Sequence, residues 1–186
     1  MALRVIAGTA GGRKLVAPKG GARPTTDRLK EALFSSLGAD RVRDATVLDL
    51  YAGSGALAIE ALSRGAASAV LVDRDAAAAA AIRANLETTS FATVARVQRV
   101  DVARFVTVPI ADGPFDLVFL DPPYEVPSDE VAAVLAALAA TGAVTVGGTV
   151  VVERPKSGEP VTLPGGWGIE KERAYGDTLL VVAHAS

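Results

Sequence analysis

The spacing of apolar positions changes twice along the chain. At the start, Arg4–Ala7 and Arg13–Ala17 are short alternating runs on either side of Gly8-Thr9-Ala10-Gly11-Gly12, which predicts a small β-hairpin. Pro18–Pro24 is rich in glycine and proline and reads as a connector. Thr25-Thr26-Asp27 then offers N-caps for a helix. Leu29, Ala32, Leu33, Ser36 and Leu37 follow at the i, i+3, i+4, i+7, i+8 spacing of a buried stripe, and Gly38 ends it.

From Thr46 the pattern becomes strand alternating with helix. Strands are predicted at Val47–Leu50, Ala69–Val72, Val94–Val100, Phe115–Leu120 and Thr149–Glu153. Helices are predicted at Ala56–Ser63, Ala76–Leu86 and Glu130–Ala140. That alternation implies an α/β fold with a mostly parallel sheet covered by helices on both faces. After Trp167 the rhythm changes again. Ile169–Tyr175 and Thr178–Ala183 flank Gly176-Asp177 and predict a closing antiparallel hairpin.

Composition narrows the chemistry. A length of 186 residues, half of them apolar and 22% charged, suits one domain with a sizeable core. There is no cysteine, and the one histidine is His184, so disulfides, thiolate catalysis, a Ser-His-Asp triad and a bound metal are not expected. No apolar run approaches a membrane span and Met1–Arg4 has no signal-peptide character, so a cytoplasmic protein without a membrane partner is expected.

The formal charge of −2 hides an asymmetry. Residues 1–43 carry nine Lys or Arg against three acids, while the remainder carries ten against eighteen. A basic end on an acidic body is an electrostatic footprint for nucleic acid or a solvated charged face; charge alone leaves both open.

Asp49-Leu50-Tyr51-Ala52-Gly53-Ser54-Gly55-Ala56 lies between the first buried strand and its helix. Two glycines permit a sharp turn and close approach to a ligand, and the helix start offers free N–H groups. Asp73 ends the next strand, where a carboxylate can accept ribose hydroxyls. The spacing also fits a dinucleotide fingerprint, so an NAD(P) oxidoreductase remains a reading of the turn, as does a turn that binds nothing. Asp49 favours a cationic ligand over a pyrophosphate, as in S-adenosylmethionine. Asp101, after the third strand, could take an adenine amino group, with Val102 beside it, or be a simple turn residue.

Asp121-Pro122-Pro123-Tyr124 follows Phe115–Leu120 directly. The prolines stiffen the loop. The Asp121 carboxylate and Pro122 carbonyl become fixed acceptors beside the Tyr124 ring, a set that suits a planar base bearing an exocyclic amine. Accepting both amino hydrogens would pyramidalise that nitrogen and aim its lone pair at a methyl donor, so positioning carries much of the rate. A rigid strand exit with a packed tyrosine is the alternative. The acids, the glycine turn and this tetrapeptide all fall after successive predicted strands, where open α/β sheets bind ligands.

Asp-Pro-Pro-Tyr is an amino-methyltransferase signature, and Asp49–Gly55, with Tyr51 and Ser54, resembles the motif that binds S-adenosylmethionine in class I methyltransferases. Arg4-Val5-Ile6-Ala7-Gly8, Gly11-Gly12-Arg13-Lys14-Leu15 and Arg23-Pro24-Thr25-Thr26-Asp27-Arg28 resemble the RsmD family, bacterial 16S ribosomal RNA guanine-N2 methyltransferases. The resemblance implies a Rossmann-like class I methyltransferase fold with a seven-stranded sheet. Residues 1–24 would form a β-hairpin extension contacting RNA, and residues 25–186 the methyltransferase domain. Asp49, Tyr51, Gly53, Ser54, Gly55, Asp73, Asp101 and Val102 would line the cofactor site, and Thr26 or Arg28 could reach the cofactor carboxylate. Asp121, Pro122 and Tyr124 would hold the guanine. Arg4, Arg13, Lys14 and Arg23 would contact RNA, as could Arg28. The family often has phenylalanine at Tyr124, and either ring stacks. The partner implied is 16S rRNA in the small subunit or an assembly intermediate, met by a monomer.

Close alternatives are methylation of adenine N6, cytosine N4 or a glutamine amide; a ribosome-assembly chaperone without turnover is another. Trp167 reads as packing or turn filling and His184 as solvent-exposed.

Overall fold

The structure, a computed structural model, describes residues 3–18 and 26–186. Most of the expected connector, with Arg23, lies outside the described residues.

The chain begins with the hairpin, in which Arg4 pairs antiparallel with Lys14 and the amides of Val5 and Leu15 donate to the carbonyls of Arg13 and Leu3. Pairing stops there because the Val16 amide donates instead to the Asn85 side chain. Helix α1 (Asp27–Leu37) is N-capped by Thr26 and ends at Gly38. Its buried stripe includes Leu29, Leu33 and Leu37 as expected, and also Phe34 and Lys30.

The alternating region then forms β1 (Thr46–Leu50), α2 (Ala56–Ser63), β2 (Ser68–Val72), α3 (Ala76–Thr89), β3 (Ala95–Gln98), α4 (Val102–Phe105), β4 (Phe115–Leu120), α5 (Ser128–Ala140) and β5 (Val144–Pro155). The closing hairpin is β6 (Gly168–Tyr175) and β7 (Thr178–His184). The seven strands lie in the order β3-β2-β1-β4-β5-β7-β6. Every pairing from β3 to β5 is parallel, whereas β7 runs antiparallel to both β5 and β6. The expected mostly parallel sheet is therefore present, with β7 alone reversed.

Several boundaries differ from the sequence pattern. One turn of helix is too short to show a period, so α4 carries no sequence signal beyond its Asp101 cap. Helix α3 runs on through Thr88 and Thr89, whose hydroxyls donate to carbonyls within the helix. Strand β5 starts ahead of Gly147-Gly148, because the glycine pair makes a bulge that shifts the pairing from Phe115–Val144 to Leu117–Thr149.

Alternation along each strand divides the core. Val47, Leu71, Leu117, Phe119, Val151 and Val182 face α1, α2, α3 and the hairpin residues Val5, Ala10 and Leu15. Leu48, Val70, Val118, Leu120, Val150 and Val152 face α5 and Val102 of α4. Trp167 packs, partly buried, against this second cluster, and His184 is exposed.

Candidate active site

Sheet register builds the rim. Leu50 pairs with Val72 on one side and with Leu120 on the other, and Leu120 pairs with Val152. The next residue along each parallel strand is therefore Tyr51, Asp73, Asp121 or Glu153, and these four share one level at the C-terminal edge.

The glycine turn is tied down from three sides. Asp73 accepts the Gly53 amide with one carboxylate oxygen and the Asp75 amide with the other, both at 2.9 Å. The Ala52 amide donates to the Val72 carbonyl. Asn85 of α3 donates to the Ser54 carbonyl at 2.9 Å while also bonding both backbone groups of Val16, so the turn and the hairpin share one side chain. Gly55 adopts φ +77°, a left-handed backbone that favours glycine, and a Cβ there would stand 2.9 Å from the tip of the Leu71 side chain, which would have to shift.

Asp49 lies beneath this turn, only 1% exposed, and accepts the Ala58 amide in the first turn of α2. Burial pushes its carboxyl well above the ordinary range; the Ala58 bond opposes this, and the charges of Asp121 and Asp73 reinforce it. Tyr51 holds a left-handed backbone, φ +61°, a strain typical of residues fixed at functional turns. Its buried hydroxyl has no partner among the described residues, and its ionisation is pushed up to about 12, by burial first and then by Glu130 and Asp101.

Past β3, Asp101 caps α4 through the Arg104 amide and pairs with Arg74 at 3.6 Å. The Val102 side chain packs into the second core cluster. Thr26 is engaged at 3.3 Å with the Leu29 amide as the cap of α1, and Arg28 is exposed on the first turn of that helix.

The Asp121–Tyr124 exit continues the sheet by one rung, with the Asp121 amide on the Leu50 carbonyl. The Val126 amide closes a turn onto the Pro123 carbonyl, and buried Arg154 donates to the Val126 carbonyl at 2.9 Å. Pro122 is buried, whereas Tyr124 is 49% exposed. The Tyr124 hydroxyl lies 2.9 Å from the Thr178 hydroxyl, and Thr178 donates to Glu153 at 3.4 Å. Glu153 is 8% exposed, and its carboxyl is pushed up to about 8 by burial and by the negative charge of Asp121.

Sequence reasoning passed over Glu153 and Thr178. Glu153 carries the same signal as Asp121, an acid ending an apolar strand; Thr178 carries none, because only the reversal of β7 brings a strand start to this rim.

The basic end is less free than its composition implies. Arg4 pairs with Asp27 at 2.9 Å, and Arg13 donates to the Thr88 carbonyl. Lys30 is fully buried, bonded to the Arg4 carbonyl and paired with Asp27, and burial lowers its pKa. Lys14 and Arg28 remain exposed.

A sheet with one reversed strand, next to last in order, and with its acids and glycine turn where the parallel strands end, has the class I methyltransferase architecture. An RNA methyltransferase from Salinibacter ruber solved with S-adenosyl-L-homocysteine shares it, with a TM-score of 0.64 over 88% of this chain and 95% of that one at 17% identity. The family model described as Conserved hypothetical protein 95 matches residues 3–184, and the chain belongs to that family. Ribosomal RNA small subunit methyltransferase D of Escherichia coli is 37% identical over 175 residues, 94% of this chain and 85% of the relative. The solved structure of the candidate methyltransferase yhhF of Escherichia coli is 36% identical and superposes with a TM-score of 0.87, covering 100% of this chain and 99% of that one.

Proposed function

We propose that this chain transfers a methyl group from S-adenosylmethionine to the exocyclic N2 of a guanine in 16S ribosomal RNA, within the small subunit or an assembly intermediate. The observation that carries this is the meeting at one rim of the Asp73-braced glycine turn and the Asp121-Pro122-Tyr124 exit. The name of the Escherichia coli relative supports ribosomal RNA as the substrate.

The residues present fit the cofactor. Asp73 keeps lone pairs beyond its two backbone bonds for ribose hydroxyls, and Asp101 is partly exposed for an amino group. The outer side of Gly53 is open, with only the Tyr51 carbonyl oxygen, at 3.9 Å, near the place of a Cβ. Asp73 brings negative charge toward a cationic ligand, whereas Asp49, buried and with its carboxyl pushed well above the ordinary range, braces the turn from beneath by accepting the Ala58 amide. Bound there, S-adenosylmethionine supplies an electrophilic methyl on a sulfonium.

The chain's own part is to hold the nucleophile. The Asp121 carboxylate and Pro122 carbonyl accept the two amino hydrogens of the guanine while Tyr124 stacks on its ring. That pairing pyramidalises the nitrogen, withdraws its lone pair from conjugation with the ring and aims it at the methyl. The nitrogen becomes more acidic as its new bond forms, and its proton passes to Asp121 or to water. A target base inside a helix must first be extruded. Residues 1–24 serve as an RNA-contacting extension; Lys14 within it and Arg28 on the first turn of α1 are exposed charges that can reach the phosphates. The protein acts in the cytoplasm as a monomer; among the described residues no helix is long and apolar enough to cross a membrane.

The test is methyl transfer from labelled S-adenosylmethionine to small subunits and to naked RNA from cells lacking the gene, followed by nucleoside analysis. Label in N2-methylguanosine at one position is expected, with Asp121→Ala abolishing it while cofactor binding persists. Label in another nucleoside, or none, refutes the assignment.

A further inference from the structure

We propose that Thr178 and Glu153 are positioning residues for the target base, tethering the Tyr124 ring through its hydroxyl so that its face stays set beside the Asp121 and Pro122 acceptors. This deepens the function proposed above and rests on it.

Tyr124 stands on an exposed, proline-stiffened exit, and 49% of the residue meets solvent. The prolines fix the backbone, but they leave both side-chain torsions of the tyrosine free. Stacking on a base requires one ring orientation, and the hydroxyl supplies the missing constraint. It lies 2.9 Å from Thr178 Oγ1, and Thr178 in turn donates to Glu153 Oε1 at 3.4 Å. The consistent direction is Tyr124 O–H to Thr178, then Thr178 O–H to Glu153.

The far end of this chain is rigid. Glu153 sits within the long strand β5, paired with Leu180 of β7, and Thr178 pairs with Pro155 two residues on. Both side chains therefore stand on paired strands of the sheet. The anchor is also paired at a cost. A carboxyl only 8% exposed beside the Asp121 charge is unfavourable to bury, and a purely structural strand would place an apolar residue there, as Val150–Val152 do. Burial raises its pKa to about 8, so near neutrality it is held as an uncharged carboxyl able to accept the Thr178 hydrogen without adding a second negative charge beside Asp121. The tether is specific to tyrosine, since a phenyl ring at position 124 keeps the stacking face and loses the anchor.

The experiment compares Thr178→Val, Tyr124→Phe, the double variant and Thr178→Ser in methyl transfer to the small subunit, with cofactor binding measured by calorimetry. Valine is isosteric with threonine, so the fold is kept. Each single variant should lower kcat about fivefold, the size of one neutral hydrogen bond. The double variant should be no slower than either single, because both break the same link. Thr178→Ser should restore the rate, and cofactor affinity should not move. A Thr178→Val enzyme with the parent rate overturns the proposal. So do effects that multiply in the double variant, or a loss matched by weaker cofactor binding. Absence of N2-methylguanosine with the parent enzyme is a separate outcome that overturns the underlying function, and the tether's role with it.

Discussion

Removing the Glu60 carboxylate should detach the N-terminal hairpin from the methyltransferase core. Glu60 is fully buried in α2 and accepts the Ile6 amide at 2.7 Å, the Ala7 amide at 3.1 Å and Arg64 Nε at 2.7 Å. Glu60→Ala strands two backbone donors and a guanidinium. At about 1–3 kcal/mol for each donor left unsatisfied, and with solvent reaching part of the site, the loss should be about 3–5 kcal/mol. In a chain of this size each kcal/mol moves Tm by about 2–4 °C, so a fall of about 10 °C is expected. Glu60→Gln keeps one acceptor oxygen but turns an NH2 toward a donor, and should lose about half as much. Calorimetry measures the shift, and amide exchange at Ile6 and Ala7 locates it, since both should exchange faster than β1 in either variant. If Glu60→Gln melts with the parent protein, or exchange accelerates in β1 and not at Ile6 and Ala7, the carboxylate is not what holds the hairpin.

Three further outcomes follow from the same contacts. Gly8→Ala would place a Cβ 1.8 Å from the Ser63 carbonyl oxygen at a backbone of φ +83°, so the hairpin must lift off α2; Tm should fall and RNA binding weaken, both read in parallel titrations. Glu153 keeps its proton in the folded chain up to about pH 8 but loses it near 4.5 when unfolded, so the folded state binds more protons across that window and stability falls as pH rises through it. At about 1.4 kcal/mol per pH unit the ceiling is about 5 kcal/mol; Glu153→Gln should flatten the profile and stabilise the protein at pH 8, as denaturant melts at pH 5 and pH 8 will show. Charge-neutralising Lys14 and Arg28 together should weaken RNA binding and reduce the slope of log affinity against log salt by about one to two, whereas an unchanged slope would mean those charges only face water.

The strand-and-helix alternation and the rim acids were legible because each is a local signal: period two against period 3.6, and an acid where an apolar run stops. Asp73 and Asp121 could both be placed at strand ends before any pairing was known, and Asp49 one residue inside the end of the first strand. Glu60 shows where such reading fails. In Ala56–Ser63 it looks like the solvent side of a short helix, yet all eight residues are buried, because the sheet covers one face and the hairpin the other. Lys30 fails likewise, its charge taken inside by Asp27 and the Arg4 carbonyl. Thr178 depends on where β7 inserts, a long-range outcome that no spacing near residue 178 encodes. The basic end was visible as composition, but which charges stay free depended on partners such as Thr88, distant in sequence.

The reversal of β7 also decides what the sheet offers at its margin. Because the last strand inserts beside β5, the apolar run Thr178–His184 is flanked on both sides, and the outermost position falls to β6. That strand carries Glu170, Lys171, Glu172 and Arg173 in succession, and its pairing with β7 slips between Ile169 and Lys171. Charge and a local irregularity are what discourage another chain from adding a strand to an open edge. The hairpin that supplies Thr178 to the rim thereby also guards the protein against edge-to-edge aggregation. Exchanging the β6 charges for apolar residues would leave the rim in place and cost the protein its solubility.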